Sequence, residues 1–173
     1  MNSFLLLIPF LLIRYGLLAI LNKKAMPFAA YFPPRVKAEK IAHWLYQVST
    51  TLIFVHMIFL DIQTVPKEIF WEGLAICIFG LILCSLSVAD FAKPSQTGIK
   101  LNGLYRFSRN PMYISYFVYF IGCVLLTQSL FLLGLVLIYQ ISTHWLIFSE
   151  ERWCVQRFGE EYLQYMKKVK RYI

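Results

Sequence analysis

The sequence predicts an all-α, polytopic membrane protein: five transmembrane helices, the last two forming a hairpin, followed by a cytoplasmic amphipathic C-terminal tail. Three observations predict it. Hydrophobic residues make up 59% of the 173 residues and charged residues only 15%, where a soluble domain carries about a quarter charged. Apolar runs recur at close to the ~20 residues that cross a ~30 Å hydrocarbon core as helix. The basic residues avoid those runs and gather in three clusters, Lys23 to Lys40, Lys93 to Arg109 and Arg152 to Arg171. Length and pattern together indicate a single membrane domain over 1–173.

The expected spans are about 3–21, 41–60, 69–89, 111–127 and 130–149. The first lacks the basic start of a signal peptide and carries Arg14 in mid-run, so it reads as a span. An arginine at that depth either snorkels to the inner surface, pairs internally, or contacts substrate. His43, Glu72 and Asp90 lie near span ends, where water is close; His56 lies near the outer end of the second span. Thr127, Gln128 and Ser129 alone separate the fourth and fifth spans. So short a connection forces an antiparallel hairpin.

Orientation follows from lysine and arginine. Segments 22–40, 90–110 and 150–173 hold 5, 4 and 6 of them, while 61–68 holds only Lys67. An odd number of spans puts all three basic segments on one side, which the positive-inside bias makes cytoplasmic. The N-terminus is then outside and the C-terminus inside, in what is expected to be a prokaryotic cell membrane. The same distribution explains the net charge of +8 as loop bias, with no nucleic-acid partner. Cys77, Cys84, Cys123 and Cys154 have no metal-ligand spacing; the first three read as small packing residues, and neither a metal nor a disulfide is expected.

The fifth span is the informative one. In "LIYQISTHWLIFSEERWCVQRFGEEYLQY" the apolar character stops at Glu150–Glu151. His144 and Glu151 share a helical face, and Glu150 points about 100° away. The hairpin must bring this carboxylate pair beside Arg109, Asn110 and Tyr113. Cationic, amide, aromatic and acidic groups then converge at one depth, facing the cytoplasm, as a pocket. Arg106 and Arg109 also read as anchors for the fourth span. Beyond the pair, Gly159 is a helix stop. Tyr162, Tyr165 and Met166 set against Lys167, Lys168, Lys170 and Arg171 make an amphipathic tail, either an interfacial helix or a lid.

"GLYRFSRNPMY", followed about 40 residues later by "EERWCVQRFGEEYLQYMKKVKRYI", resembles the membrane methyltransferases that include isoprenylcysteine carboxyl methyltransferase and phospholipid N-methyltransferase. The resemblance covers 97–173 and implies S-adenosyl-L-methionine as donor, bound on the cytoplasmic side. Carried over by position, it implies donor contacts from Tyr105, Asn110, Pro111, Met112 and Tyr113, with Glu150 as the carboxylate and Glu151 as its neighbour. Thr97, Gly98, Ile99 and Lys100 occupy the place of a further donor-contacting loop. The implied acceptor is a lipid or lipophilic small molecule reached from the bilayer. An amine acceptor needs a base, for which His144 or a carboxylate is a candidate.

Two departures stand out. Asn110 replaces a more familiar histidine, so imidazole chemistry is absent there. Leu146 stands where the prenylcysteine enzymes place an arginine that holds the substrate carboxylate, which argues against that acceptor. Two other readings are an NADPH-dependent reductase of the sterol-reductase type, whose C-terminal half is similar, and a non-catalytic membrane scaffold.

Overall fold

A computed structural model describes residues 1–29, 31, 33–34, 36–95 and 98–172, apart from the side chains of Phe28 and Lys37. Among the described residues all regular elements are helical. Helix α1 (Phe4–Leu11) passes through a π-helical segment, Leu12–Leu17, into α2 (Leu18–Asn22). A 3₁₀ turn, Lys23–Ala25, leads to the short α3 (Met26–Ala29). Then come α4 (Lys37–Phe59), α5 (Lys67–Ala92), a 3₁₀ turn at Gly103–Arg106, α6 (Pro111–Thr127), α7 (Leu130–Phe158) and α8 (Glu160–Lys168).

Among the described residues four helices are long and apolar enough to cross a membrane: Phe4–Ala25, Ala38–Phe59, Lys67–Ala92 and Leu130–Phe158. The expected fourth span is a shorter apolar helix, Pro111–Thr127. Its limits have local causes. Pro111 occupies the first helical turn, where its missing N–H costs nothing, and Gln128, at φ 51°, turns the chain left-handed after the last turn. Helix α7 continues beyond the expected span end at 149, running for 29 residues to Phe158, and Gly159 at φ 57° ends it, at the expected helix stop. Loss of apolar character moves a helix into water without ending it, because the backbone ladder continues through good helix formers.

Helix α6 packs chiefly on α5 and α7 chiefly on α4; the two arms of the hairpin share a smaller contact. The α5–α6 approach depends on small residues at helical spacing: Gly73, Cys77, Gly80, Cys84 and Ser87 are all buried. A Cβ on Gly80 would lie 2.7 Å from the Tyr119 backbone, and one on Gly122 2.6 Å from the Cys77 amide nitrogen. Small residues let membrane helices come this close. The cysteines serve the same packing, with Cys77 and Cys123 sulfurs 3.9 Å apart. The first helix lies over α5 and meets α6 through Phe10, whose ring stacks on Tyr119 at 5.1 Å; the Tyr119 hydroxyl donates to the Leu6 carbonyl.

One end of the bundle is closed by Asn2 and Ser3, which donate to Ile58 O and Met57 O at 2.7 and 2.9 Å. They satisfy carbonyls that the end of α4 leaves open. At the other end, Asn22 Nδ2 reaches Ala92 O at 2.8 Å and Arg152 Nη2 reaches Glu39 Oε2 at 2.7 Å. This second end gathers the start of α6, the extension of α7, and α8.

Candidate functional site

At the second end lies a cavity of about 550 Å³, within the range of roughly 300–1,000 Å³ common for small-molecule sites. Next to the lining residue Phe91, in the last turns of α5, stands Asp90. The Asp90 carboxylate accepts from the Leu104 amide at 2.9 Å and from Lys93 Nζ at 2.7 Å. Gly103 sits at φ 56°, and any Cβ there would collide with that carboxylate. Only glycine meets both demands, the left-handed backbone and the contact. Held this way, the 3₁₀ turn delivers Tyr105 into the cavity wall, where the Tyr165 hydroxyl donates to its carbonyl at 2.7 Å. Burial holds the Tyr105 phenol well above its ordinary pKa, so it stays neutral.

The next residues are stapled to the C-terminus. Arg109 N donates to Lys170 O at 3.0 Å. Ser108 Oγ and Asn110 Nδ2 both donate to Arg171 O, at 3.2 and 3.1 Å. Arg109 is not the lipid anchor its position suggests. Its Nη1 donates to Met166 O and Val169 O at 3.0 and 2.9 Å, taking up carbonyls at the end of α8. Its Nε and Nη2 reach Glu151 Oε1 at 2.9 and 2.8 Å. Arg171 takes the other oxygen, Oε2, at 2.7 Å from Nη2. Arg106, by contrast, is exposed, as an anchor would be.

The two adjacent glutamates therefore have different surroundings. Glu151 is buried between two guanidinium groups. Both line the cavity, but Glu150, one residue earlier and about 100° round the helix, has a different partner. Its Oε1 accepts from the Tyr113 hydroxyl at 2.6 Å, and among the described residues it has no cationic partner.

Other expected site residues distribute as follows. Asn110, Met112 and Tyr113 line the cavity from the start of α6; Gly98, Ile99 and Lys100 line it from the α5–α6 connection. Burial lowers the Lys100 pKa, and its ammonium lies 5.4 Å from the Phe91 ring centroid. Thr97 lies outside the described residues. Pro111 is buried but not part of the wall, where it sets the start of α6. His144 is outside the wall as well: its Nδ1 meets the Tyr172 hydroxyl at 2.7 Å, and the two rings stack. Arg14 turns into the cavity over the Tyr116 ring, 4.8 Å from its centroid. Leu146 is fully buried in the hydrophobic core.

Helix α8 is a wall of the cavity. Tyr162 and Tyr165 are buried and line it, with Cys154 and Phe158 of α7 beside them. Among residues the sequence reading passed over, Asp90 and Arg171 matter most. Asp90 looks like any polar residue at a span end until the Gly103–Leu104 turn is placed on it, and Arg171 like any basic residue of the tail until the tail returns onto 108–110. Tyr116 lies within an apolar run that offers no polar signal. Among the described residues no group of three histidine, cysteine or acidic side chains is placed to hold a metal.

This arrangement matches a known family. Residues 70–161 fit the family model described as Phospholipid methyltransferase, a stretch that runs from α5 through the hairpin into α8. The chain belongs to this family of integral-membrane methyltransferases. It is also similar to Protein-S-isoprenylcysteine O-methyltransferase of Xenopus laevis, 33% identical over 122 residues, covering 60% of this chain and 41% of that one. The protein of the same name from Saccharomyces cerevisiae is 35% identical over 82 residues, 44% of this chain and 33% of the relative. The chain thus spans less than half the length of these curated relatives. Both are eukaryotic, so the expected prokaryotic membrane draws no support from them. No solved structure is a significant match.

Proposed function

We propose that this protein transfers a methyl group from S-adenosyl-L-methionine to a lipophilic or amphipathic acceptor that reaches the site from the bilayer. The observation that carries the reading is the contrast within Glu150–Glu151. Both line the cavity, but two arginines use up Glu151, whereas Glu150 has one tyrosine hydroxyl as partner. A carboxylate so placed is set to accept from ribose hydroxyls or to pair with an amino group. Family membership and the two relatives support the same donor.

The residues present fit that donor. Glu150, Tyr113, Met112, Asn110 and Tyr105 form one wall, with Gly98 to Lys100 as the adjoining loop; Thr97 belongs with that loop by sequence. Pro111 and Glu151 act indirectly, the first by starting α6 and the second by fixing Arg109 and Arg171. When bound, the donor supplies an electrophilic methyl: its S–C bond breaks as the acceptor–C bond forms, and the bonding pair stays on sulfur. The protein's task is alignment and exclusion of water, a proximity effect worth several kcal/mol. Tyrosine faces stabilise the sulfonium cation, and α8 covers the site. For an amine acceptor Glu150 is the better-placed base, since His144 faces Tyr172.

In the membrane we read α6 as a fifth span, a short one. The end bearing the cavity is then cytoplasmic and the N-terminus outside, because the three basic segments gather there. The acceptor named for the relatives, a protein isoprenylcysteine, gains no support from Leu146, which is apolar and buried and holds no carboxylate.

Calorimetry with S-adenosylhomocysteine tests the reading, using full-length protein in detergent with NADPH in parallel and Glu150→Ala as control. Saturable binding that weakens about tenfold or more in the variant is expected, from loss of a charge-assisted contact. Binding of NADPH alone moves the protein to the reductases. Silence from both ligands leaves a scaffold.

A further inference from the structure

Arg14 has no place in the carboxylate network or in donor alignment. It lies in the π-helical segment Leu12–Leu17, and such segments are rare and concentrate at functional positions. At a rise of 1.5 Å per residue it stands about 12 Å along the helix from Asn22, which marks the level of the end of α5 through Ala92 O. Glu150, by contrast, is held at the first turn of α6 by Tyr113. Of the cavity-lining residues Arg14 and Glu150, Arg14 is therefore the deeper.

Its surroundings are aromatic. The guanidinium carbon is 4.8 Å from the Tyr116 ring centroid and 5.3 Å from that of Tyr15, with Tyr46 and Tyr139 also close enough to interact. Ring faces attract the cation, but they do not take up its N–H groups. Among the described residues no carboxylate pairs with Arg14 and no acceptor receives a hydrogen bond from it. A permanent cation at bilayer depth is costly, and this one keeps a planar set of donors turned to the cavity. The rings use up none of those N–H donors, and the guanidinium edge is what matches carboxylate or phosphate bidentately.

We propose that Arg14 receives an anionic group of the methyl acceptor, a carboxylate or a phosphate, so that this protein selects anionic amphiphiles. The proposal rests on the donor-site reading above. The anion lies on the membrane side of the donor, and the apolar part of the acceptor extends toward lipid. Arg14 thereby supplies, from the first helix, the cation that Leu146 does not supply from α7.

The test uses the full chain in phosphatidylcholine nanodiscs with saturating S-adenosylhomocysteine. Retention of radiolabelled dodecyl phosphate, dodecanoate and dodecanol is measured against empty discs for wild type, Arg14→Gln and Arg14→Lys. Wild type is expected to favour one anionic probe over dodecanol by about tenfold or more, as a bidentate charged contact gives. In Arg14→Gln the preference falls to within about twofold, while calorimetric S-adenosylhomocysteine affinity stays within about twofold of wild type. Arg14→Lys falls between, since a point charge lacks the planar fork. It carries the test if the glutamine variant does not fold, and an undiminished preference in the lysine variant then overturns the proposal. No preference in wild type, or full preference in Arg14→Gln, overturns it too. A loss of S-adenosylhomocysteine affinity in Arg14→Gln assigns the arginine to the donor's carboxylate and overturns the acceptor role. Failure of wild type to bind S-adenosylhomocysteine at all sinks the donor reading itself, a separate result.

Discussion

The Tyr113 hydroxyl donates to Glu150 Oε1 at 2.6 Å across the two arms of the hairpin. The bond ties the first turn of α6 to the late part of α7, and among the described residues no protein donor competes for the other carboxylate oxygen. Removing the hydroxyl in Tyr113→Phe leaves the ring in place and takes away one hydrogen bond, a loss of about 0.5–1.5 kcal/mol. The expected result is a several-fold weaker S-adenosylhomocysteine affinity by calorimetry. An unchanged affinity would detach Tyr113 from the donor site.

Glu151 gives the opposite profile. Glu151→Ala strands Arg109 and Arg171 in a buried position, and breaking such a pair costs about 3–5 kcal/mol. Thermal unfolding in detergent should therefore show a large fall in midpoint for Glu151→Ala and a small one for Glu150→Gln, which breaks no ion pair. Equal midpoints for the two variants would mean that the carboxylates share one role.

The C-terminal residues are needed for the site. A chain ending at Val169 loses the Arg171 carbonyl that receives Ser108 and Asn110 and the guanidinium on Glu151. Such a truncation should abolish S-adenosylhomocysteine binding while the helical circular dichroism signal falls little. Retained binding would show that the 108–110 segment holds its position without the tail.

Gly103→Ala tests the turn on Asp90. It places a Cβ against the Asp90 carboxylate at a left-handed position, which costs about 1–2 kcal/mol for the backbone alone. Both the unfolding midpoint and donor affinity should drop. Asp90→Ala in the same background removes the obstacle, and a partial return of stability is the expected sign that the collision is the cause.

Gly80→Leu tests the bundle away from the site. The Tyr119 backbone leaves no room for a side chain at Gly80, and overpacking of this kind costs about 1–3 kcal/mol or more. The variant should lose stability, and its residual folded fraction should bind S-adenosylhomocysteine with unchanged affinity.

The sequence by itself determined the helical class, the limits of most helices and the neighbourhood of the site. Those properties follow from apolar run length, from the short Thr127–Ser129 connection, and from glycine and proline at helix ends, all of which act locally along the chain. It also placed Glu150 and Glu151 near Arg109 to Tyr113, because a hairpin allows nothing else. The tertiary structure decided which of the two cavity-lining glutamates is neutralised by arginines and which is not, since that depends on where Arg171 returns. It decided that Arg109 holds α8 instead of lipid, and that α7 continues past its last apolar turn. It also turned Arg14 inward over Tyr116. Each of these depends on contacts between residues far apart in the chain, and the charge or period of one segment carries no record of what another segment will bring to it.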